Sequence, residues 1–499
     1  MRKIYYLFCF FLMVGLQEAW SQKDSQTDVS LKFADPLTDN MVIQQNKPFK
    51  VWGKAPAGQK VKISADWLPS PTIVEAGEDG SFIGLIQVPI AQSGDFSKHR
   101  LSLESGGQST SLENLLIGDV WFCSGQSNMQ FGMDEVINSE KEIARANYPN
   151  IRLFSAGLNF SNEPLNTING KWVACSPETV KKFSAVGYYF GQYLHEALNI
   201  PIGLIFTGIG ASAAQAYVTQ QVLAVDPVLD SAYLQPYLQS ERSREVIDGG
   251  FSFEKVTRPF LLYNAIIHPF TNLSIKGICW YQGESNRHER ESYTRLTHAM
   301  INSWRKAFAQ ENLPFYYVQV APFFYDIEDP TLADYAFFRE AQEKIRTLNN
   351  TEMVVTMDVG EAKDLHPKNK KPIGERLAKV ALNRTYGKLE VAYRGPQFQS
   401  VAFDGRSAIV SFDPETVKNG LRTNDGKAPK HFFLAGNDQK FYPAEAKIVG
   451  SKILLKSTEV RKPVAVRYAF TNYPVTNLEN TDGFPVEPFR SDNWPEENQ

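Results

Sequence analysis

One short stretch, residues 120–129 (VWFCSGQSNM), decides the fold. It opens as a continuous apolar run, which is typical of a strand that a parallel sheet buries on both faces, and it closes in a polar turn. Further apolar runs follow at residues 202–206, 275–280, 315–320 and 353–357. Patterns typical of helices lie near residues 182–198, 212–225, 290–309, 333–347 and 372–386. Buried strands that alternate with helices predict an α/β fold, a doubly wound three-layer α/β/α sandwich whose ligands bind at the carboxyl ends of the strands.

Short strands separated by turn residues flank this central region on both sides. Residues 22–112 contain alternating runs such as 49–53 and 99–103, which predict an N-terminal β-sandwich-like domain. The central α/β domain is expected at residues 113–390. Short strands return in a C-terminal β-rich region at residues 391–499. The pattern leaves open whether the two β regions form one sandwich or two.

The N-terminal segment 1–21 predicts a secretory signal peptide rather than a membrane anchor. Arg2 and Lys3 give it a basic start, residues 4–16 are apolar, and residues 19–21 (AWS) are suited to cleavage by a signal peptidase. The apolar run is shorter than the ~20 residues that a membrane span needs, and no later segment is long and apolar enough to span. We therefore expect a mature protein that is secreted or periplasmic.

Composition and charge narrow the classes of function. The 499 residues include 52 Lys and Arg against 55 Asp and Glu, a net charge of −3. This balance argues against a nucleic-acid partner, which needs a basic surface. Of the four cysteines, Cys9 lies in the expected signal peptide, which leaves Cys123, Cys175 and Cys279. An odd number does not indicate a disulfide framework, and the chain has no Cys-x-x-Cys pair for a zinc ribbon or a redox motif.

Ser127 is the first candidate for chemistry. It follows the strand-like run that ends at Cys123 and precedes a helix expected at residues 133–137. A serine at such a turn exposes its hydroxyl at the carboxyl edge of the sheet, and its own N–H points to where an oxyanion would form. Met129 stands where a Gly-x-Ser-x-Gly turn has its second glycine. The alternative is that Ser127 only caps the N-terminus of the helix.

The second candidate is the segment 364–367 (DLHP), just after the last predicted strand. A nucleophilic serine needs a base, and histidine is the side chain that titrates near neutrality. His366 follows a strand of the same sheet as Ser127, and Asp364 two residues earlier could orient its ring as the acid of a triad. His268 and His288 remain possible bases. The alternative is a loop histidine beside an aspartate that caps a helix.

Two more strand ends carry groups that could stabilise an oxyanion through hydrogen bonds. The segment 280–286 (WYQGESN) can donate hydrogen bonds from Gln, Gly and Asn, and Glu284 could instead orient a neighbour. The segment 207–212 (TGIGAS) offers backbone N–H groups, although a nucleotide site would need a third glycine. One set of side chains could in principle bind a metal: Asp358, Glu361, Asp364 and His366. Their spacing does not match any recognised zinc pattern, so we predict no metal site.

Taken together, these segments resemble the sialate O-acetylesterase family of SGNH-type (GDSL-like) hydrolases. Three blocks carry the resemblance, at residues 118–129, 275–286 and 364–367. Shorter matches extend it over nearly the whole mature chain, at residues 41–44, 183–188, 262–264, 339–342 and 468–474. The resemblance implies a catalytic SGNH-hydrolase domain of flavodoxin-like arrangement at residues 113–390.

The resemblance also implies roles for single residues. Ser127 would be the nucleophile, His366 the base and Asp364 the candidate acid. The oxyanion hole would consist of the N–H groups of Ser127 and Gly210 and the side chain of Gln282. Further polar residues of the matching blocks are expected to bind the substrate: Gln126, Asn128, Glu284 and Asn286.

One segment departs from the family. The family usually reads WGGTPIEAW after the second strand, and this chain reads IGASAAQAY at residues 209–217. Gly210 is kept, while Ile209, Gln215 and Tyr217 replace a Trp, a Glu and a second Trp. We expect these three positions to lie at the mouth of the site, where they would affect the preference for the acylated sugar more than the chemistry.

The resemblance implies a secreted carbohydrate O-acetylesterase, in the first place a sialate O-acetylesterase. It would remove acetyl groups through an acetyl-enzyme and would need no metal or cofactor, and its partner would be an O-acetylated carbohydrate. Two alternatives stay open: an esterase for acetylxylan or another plant polysaccharide, and a carbohydrate-binding protein with an inactive esterase domain. The sequence does not indicate the sugar, the hydroxyl position or the oligomeric state.

Overall fold

A computed structural model describes residues 30–325 and 332–496 of the chain. The predicted signal peptide at residues 1–21 lies outside the described residues. The described chain is a mixed α/β structure with several sheets. None of the helices in these two ranges is both long and apolar enough to cross a membrane.

The N-terminal part consists of short strands. They are β1 (Lys32–Phe33), β2 (Val42–Gln44), β3 (Phe49–Lys54), β4 (Lys60–Ala65), β5 (Thr72–Glu75), β6 (Ser81–Ile86) and β7 (His99–Ser105). β3 pairs with β1 and β6, and β4 pairs with β5 and β7, all antiparallel. Buried and exposed residues alternate along β6, because successive side chains of a strand point to opposite faces. The predicted strands at 49–53 and 99–103 are confirmed.

A long strand, β8 (Gln108–Gly125), joins this part to the centre of the molecule. Its first half pairs antiparallel with β7, and residues 116–118 pair parallel with β2. Its second half lies in the central sheet. The boundary expected between residues 112 and 113 therefore falls inside one strand, and this strand connects the N-terminal sheet directly to the turn that contains Ser127.

The central sheet carries the site. Besides β8 its strands are β9 (Tyr148–Ser155), β10 (Trp172–Cys175), β11 (Ile202–Gly208), β12 (Gly277–Tyr281), β13 (Phe315–Val318) and β14 (Thr351–Val354). The order is β10–β9–β11–β8–β12–β13–β14, and every neighbouring pair is parallel except β10 with β9. The predicted parallel strands are confirmed, whereas β9 and β10 have no counterpart in the sequence prediction. The carboxyl ends of the parallel strands meet at one edge.

Helices connect these strands. They are α1 (Ser127–Gln130), α2 (Ser139–Arg145), α3 (Ala185–Leu198), α4 (Gln220–Val225), α5 (Pro227–Leu229), α6 (Gln235–Gln239), α7 (Glu291–Ala307), α8 (Asp334–Glu343) and α9 (Lys371–Arg384). The helix predicted at residues 133–137 is wrong. In such a helix the N–H group of Ile137 would donate to the carbonyl of Met133, but it donates to the carbonyl of Lys368 at 3.1 Å.

Alternate residues of β8 pack on opposite faces of the central sheet. Trp121 and Cys123 belong to one apolar core together with residues of α3 and α9. Val120 and Phe122 belong to the other core, which includes residues of α7. Both faces are therefore buried, as a continuous apolar strand predicts. Burial of this kind contributes about 25 cal/mol per Å² of apolar surface, so the strand ends are held firmly.

The C-terminal part consists of ten short strands. They are β15 (Phe398–Asp404), β16 (Ser407–Phe412), β17 (Leu421–Thr423), β18 (Phe432–Ala435), β19 (Phe441–Pro443), β20 (Glu445–Val449), β21 (Lys452–Lys456), β22 (Ala465–Tyr468), β23 (Leu478–Asn480) and β24 (Phe489–Arg490). They form sheets of their own, and within the described ranges none of them pairs with β1 to β7. The two β regions are thus separate in their hydrogen bonding.

Candidate active site

Ser127 lies at the turn between β8 and α1. Gly125, the last residue of β8, has a φ of +143°, and a Cβ atom there would lie 2.1 Å from the carbonyl oxygen of Tyr281. The turn therefore needs glycine at this position. Ser127 is partly exposed between the buried residues Gln126 and Asn128. The chain thus presents the Ser127 hydroxyl at the carboxyl edge of the central sheet.

The ring of His366 contacts this hydroxyl. Its Nε2 atom lies 2.8 Å from Ser127 Oγ, which is a hydrogen-bond distance. The ring also stacks on Phe131, with 6.3 Å between the ring centroids. A hydroxyl in contact with an imidazole is the arrangement of an activated nucleophile and its base. The two residues that the sequence singled out are therefore neighbours.

The surroundings of His366 keep its ring neutral. Partial burial lowers the pKa of His366 below 6.5, and the nearby charge of Lys370 lowers it further, against the opposing effect of Asp364 and Glu135. Burial disfavours the charged form of an imidazole, and so does a neighbouring cation. At neutral pH the Nε2 atom is therefore free to accept the Ser127 proton.

Asp364 does not make the ring contact expected of a triad acid. Its Oδ1 atom accepts a hydrogen bond from the backbone N–H of His366 at 2.8 Å, but it lies 3.7 Å from the ring Nδ1. The ring distance is too long for a hydrogen bond. Asp364 also does not cap α9, because the residue before that helix is Lys370 and no side chain caps it. In this structure Asp364 shapes the loop and acts on the ring only through its charge.

Two backbone N–H groups that were predicted to bind an oxyanion, those of Ser127 and Gly210, belong to neighbouring residues in the structure. Ser127 is the first residue of α1, so its N–H has no acceptor within the helix. Gly210 follows β11, and a Cβ atom built on it would lie 3.5 Å from the Cβ of Ser127. The Gly210 N–H currently donates to Oε1 of Gln130 at 2.8 Å. A ligand oxygen would have to replace Gln130 to use this donor.

The expected contribution of the Gln282 side chain to the oxyanion hole does not fit the structure. Gln282 is fully buried, and its Nε2 atom donates to Asn286 Oδ1 at 2.7 Å and to the carbonyl of Ser212 at 3.2 Å. Its Oε1 atom accepts from the Tyr293 hydroxyl. Since both ends of the amide already have partners inside the protein, Gln282 holds the loops together instead of facing the site.

The four residues expected to bind substrate are buried as well: Gln126, Asn128, Glu284 and Asn286. Gln126 Oε1 accepts from the N–H of Gly283, and Asn286 Oδ1 accepts from the N–H of Ala214. Asn128 Nδ2 donates to Glu284 Oε1 at 2.6 Å. These side chains tie the strand-end loops to one another, so the expectation that they contact substrate is not supported.

Lys370 is the residue that the sequence analysis missed. It is fully buried, and its Nζ atom donates to Asn128 Oδ1 at 2.5 Å. Burial lowers its pKa from 10.5 to about 7. A lysine in the charged run 368–371 (KNKK) is typical of a solvated surface, so the pattern gave no signal. The signal that could have found it is its position, four residues after His366 and just before the last predicted helix.

Comparisons with known proteins identify the chain. Residues 245–383 match the family described as carbohydrate esterase, sialic acid-specific acetylesterase. Over 93% of its length the chain is similar to a carbohydrate acetylesterase from Xanthomonas citri, with 32% identity, a TM-score of 0.82 and coverage of 100% of the other chain. The chain belongs to the sialate O-acetylesterase family. The predicted family and the predicted enzyme class, an esterase, are confirmed.

Mammalian members of the sialate O-acetylesterase family match over most of their length. The rat sialate O-acetylesterase is 26% identical over 89% of this chain and 90% of the rat protein. The human sialate O-acetylesterase is 26% identical over 90% of each chain. The similarity therefore extends through the N-terminal and C-terminal β regions and is not limited to the central sheet.

The segment in which this esterase departs from its family lies beneath the site. Tyr217 is fully buried, and its hydroxyl donates to the carbonyl of Gly125 at 2.8 Å. Gln215 accepts from Asn286, and Ile209 is buried. The expectation that these positions form the mouth of the site is wrong for Ile209 and Tyr217, because both are buried; Gln215 is half-buried.

Other candidate groups of the esterase have partners elsewhere. The His268 Nδ1 atom contacts the carbonyl of Leu165 at 2.9 Å, so this ring is held away from Ser127. Asp358, one of the possible metal ligands, pairs with Arg376 at 2.6 Å. Over residues 30–325 and 332–496, no three His, Cys, Asp or Glu side chains are grouped closely enough to hold a metal ion.

Proposed function

We propose that this esterase removes O-acetyl groups from carbohydrates with Ser127 as its nucleophile and His366 as its base. The observation that carries the proposal is the 2.8 Å contact between Ser127 Oγ and His366 Nε2. A base within hydrogen-bond reach of a partly exposed hydroxyl is the geometric requirement for nucleophilic catalysis. The lowered pKa of His366 supports the same roles, since the ring must be neutral to accept a proton.

The first half of the reaction forms an acetyl-enzyme. Ser127 Oγ attacks the acetyl carbonyl carbon while its proton moves to His366 Nε2, and the carbonyl oxygen becomes an oxyanion. When the carbonyl re-forms, the bond between the acetyl carbon and the sugar oxygen breaks. His366 returns its proton to this oxygen, so the sugar leaves as an alcohol and the acetyl group stays on Ser127.

The second half releases acetate. A water molecule takes the place of the sugar, and His366 accepts its proton as the water oxygen attacks the acetyl carbon. The oxyanion forms again and collapses, the bond to Ser127 Oγ breaks, and Ser127 regains its proton from His366. Each half uses the same base in both directions, so no net proton remains on the ring.

The proposed oxyanion hole consists of the N–H groups of Ser127 and Gly210. The nearness of Gly210 to Ser127 supports this assignment, and the buried contacts of Gln282 argue for leaving its side chain out. The substrate oxyanion would displace the Gln130 side chain from the Gly210 N–H. A donor of this kind typically contributes ~10²–10³ in kcat.

Asp364 is proposed to act through its charge. The Asp364 carboxylate lies 3.7 Å from His366 Nδ1, so it would stabilise the imidazolium that forms in each half-reaction without a hydrogen bond to the ring. Its bond to the backbone N–H of His366 would keep the loop in place. The pair of Ser127 and His366 is then the catalytic unit.

The fold and location of the enzyme are part of the proposal. The order of the central sheet and its two buried faces support a three-layer SGNH-type hydrolase domain at about residues 113–390. The separate sheets on either side support β-sandwich-like units before and after it. The basic and apolar N-terminal segment 1–21 supports export, with a secreted or periplasmic mature enzyme.

We propose O-acetylated sialic acid as the substrate class. The relatives described as sialate O-acetylesterases, which cover about nine-tenths of this chain, support it. Acetate release should be measured on O-acetylated sialic acid, acetylxylan and acetylated pectin with the same enzyme preparation. Activity on sialic acid esters that exceeds activity on both plant polysaccharides supports the proposal, and the opposite order overturns the substrate class.

The experiment on the mechanism replaces Ser127 with alanine. Ser127→Ala should lower kcat by ~10⁴–10⁶, because the nucleophile and base act as a unit, and the acetyl adduct seen by mass spectrometry of the quenched wild-type enzyme should disappear. Ser285→Ala is the matched control, since Ser285 is an exposed serine in a loop at the same sheet edge. Near-native turnover in folded Ser127→Ala would reject the assignment.

A further inference from the structure

Behind the contact between Ser127 and His366 lies a chain of three buried polar side chains. Lys370 Nζ donates to Asn128 Oδ1 at 2.5 Å, and Asn128 Nδ2 donates to Glu284 Oε1 at 2.6 Å. All three residues are at most 4% exposed. Burial of a lysine and a glutamate is costly unless both are paired or hydrogen-bonded. The chain offers part of this compensation, with the amide of Asn128 between the two groups, while Glu284 Oε2 has no hydrogen-bond partner within the described residues.

The chain joins three loops at the carboxyl edge of the sheet. Asn128 follows Ser127 in α1, Glu284 follows β12, and Lys370 lies between His366 and α9. Asn128 Nδ2 also donates to the carbonyl of Leu365 at 3.1 Å. Asn128 is therefore adjacent to the proposed nucleophile and bonded to the residue that precedes the proposed base. Its side chain therefore links the segments that carry these two residues.

Lys370 determines the orientation of Asn128. The Oδ1 atom of Asn128 faces the ammonium group and its Nδ2 atom faces the Glu284 carboxylate. The reverse orientation would place the amide donor against the ammonium group and the amide oxygen against the carboxylate. Two aromatic rings also face the ammonium group, Phe131 at 4.6 Å and Tyr281 at 5.8 Å from their centroids. His366 stacks on the Phe131 ring. Lys370 therefore contacts both this ring and the Asn128 side chain, which bonds to the residue before His366.

Lys370 also acts on His366 through its charge. The charged groups that face Lys370 are Glu284, Asp364, Glu361 and Glu135, and those that face His366 are Lys370, Asp364 and Glu135. Lys370 is the cation in the second set, and it opposes protonation of the ring while the two carboxylates favour it. The pKa of Lys370 is lowered to about 7, so below neutral pH, where His366 would take up a proton, Lys370 is charged.

We propose that Lys370 is a positioning residue for the esterase reaction, which orients Asn128 to hold Ser127 against His366 and which places its charged group on the Phe131 ring that stacks on His366. The proposal rests on the proposed roles of Ser127 and His366. Lys370 itself touches neither the hydroxyl nor the substrate, because its ammonium group is enclosed by Asn128 and the two aromatic rings. Its two contributions, orientation and charge, can be separated by substitution.

The test compares two variants of Lys370 by their pH profiles. Lys370→Gln keeps a hydrogen-bond donor for Asn128 but removes the charge, so the acidic limb of kcat/KM should move up by about 0.5–1 pH unit with little change at the alkaline plateau. Lys370→Met removes the donor too, so kcat at the plateau should fall at least about tenfold while KM changes little. Lys371→Gln is the matched control, because Lys371 is the exposed neighbour.

A second variant guards against misfolding. Lys370→Gln leaves Glu284 buried without a cation, whereas the double variant Glu284→Gln/Lys370→Gln keeps the size of the Glu284 side chain and buries no charge. Glu284 is not among the groups that act on His366, so the double variant should show the same upward shift. A purely structural role would lower the melting temperature and kcat without moving the acidic limb.

The outcomes separate this inference from the proposed function. The charge effect is overturned if Lys370→Gln and the double variant have the same acidic limb as the wild type. The orientation effect is overturned if Lys370→Met has the same plateau kcat as the wild type. Ser127→Ala and His366→Gln are assayed in parallel. If these two retain activity, the proposed function fails; if they lose it while the Lys370 variants behave as wild type, only this inference fails.

Discussion

The contact between Ser127 and His366 makes the activity depend on the protonation of one ring. A protonated Nε2 atom cannot accept the Ser127 proton, so kcat/KM should rise with pH through the pKa of His366 in the free enzyme. Burial and Lys370 hold this pKa below 6.5, so the half-maximal rate should lie below pH 6.5. A pH profile of kcat/KM on an O-acetylated sugar measures it, and a midpoint above pH 7 would contradict the prediction.

Replacement of His366 should be nearly as damaging as replacement of Ser127. His366→Gln should lower kcat by ~10⁴ or more, because nucleophile and base act as one unit. His268→Gln is the control: the ring of His268 contacts the carbonyl of Leu165, and its loss should change kcat far less. A comparable loss of kcat in both variants would mean that His366 is not the base.

Asp364→Asn tests how much a charge contributes without a hydrogen bond to the ring. Asparagine keeps an acceptor for the backbone N–H of His366 but removes the charge that lies 3.7 Å from Nδ1. We expect kcat to fall by less than about tenfold, whereas a triad acid would cost ~10⁴ on the same substitution. Steady-state kinetics measure the change in kcat, and the melting temperature shows whether the variant is folded. A loss above about a hundredfold in a folded variant would restore Asp364 as a triad acid.

The sequence indicated which residues could react but not how they are supported. Ser127 and His366 stand at strand ends, and strand ends of a parallel sheet meet at one edge, so their meeting was predictable. Gln282 and Lys370 were not, because whether a polar side chain faces the site or a buried neighbour depends on packing between loops. The charged run around Lys370 hides a residue that is fully buried.

The turn between β8 and α1 is the element on which the site depends most. Alanine at Gly125 would combine an unfavourable φ of +143° with a Cβ atom 2.1 Å from the Tyr281 carbonyl. Left-handed strain alone costs ~1–3 kcal/mol, and the clash adds to it, so Gly125→Ala should lower the free energy of unfolding by more than about 3 kcal/mol. Gly107→Ala is the control: φ there is +79°, but no heavy atom lies within 4 Å, so about 1 kcal/mol is expected. Chemical denaturation measures both, and equal losses would show that the clash is relieved elsewhere.

Element prediction succeeded where the pattern was strong. Residues 120–123 of β8 and the strands β11 to β13 are mostly apolar, and burial on both faces requires this; of β14, only the last two residues lie in the predicted run 353–357. The edge strand β10 and its neighbour β9 escaped prediction because neither is buried along its whole length, so neither has a continuous apolar sequence. The helix expected at residues 133–137 failed for a tertiary reason, since the N–H group of Ile137 donates to the carbonyl of Lys368 and not to that of Met133.

At the scale of the whole molecule, the sequence predicted three regions but not their connections. The first boundary falls inside β8, a strand shared by two sheets, and no composition change marks a shared strand. The C-terminal sheets meet the region around α8 through ion pairs, of Arg490 with Glu340 and of Arg346 with Glu487. The partners are 141 or more residues apart in the chain, so neither pair could be found by spacing.

The pair of Arg346 and Glu487 should hold the C-terminal sheets to the central domain. Its atoms lie 2.6 Å apart, and the side chains are 14% and 7% exposed. Removal of one partner from a buried pair leaves the other charge uncompensated and costs ~3–5 kcal/mol. Arg346→Met should therefore lower the melting temperature by several degrees. Arg100→Met is the control, since Arg100 and Glu113 form an exposed pair that contributes ~0–1 kcal/mol.

The same variant reveals whether the enzyme unfolds as one unit. Trp494 packs on Phe441 of β19, so the experiment uses a Trp494→Phe background. In it, tryptophan fluorescence follows the rest of the molecule, including the core with Trp121, Trp280 and Trp304, and loss of esterase activity follows the site. If the C-terminal sheets are integral to the fold, Arg346→Met shifts both transitions together, because loss of that interface exposes the core. If activity and fluorescence stay at the wild-type temperature while a separate early transition appears by circular dichroism, the C-terminal sheets unfold alone and the ion pair merely attaches them.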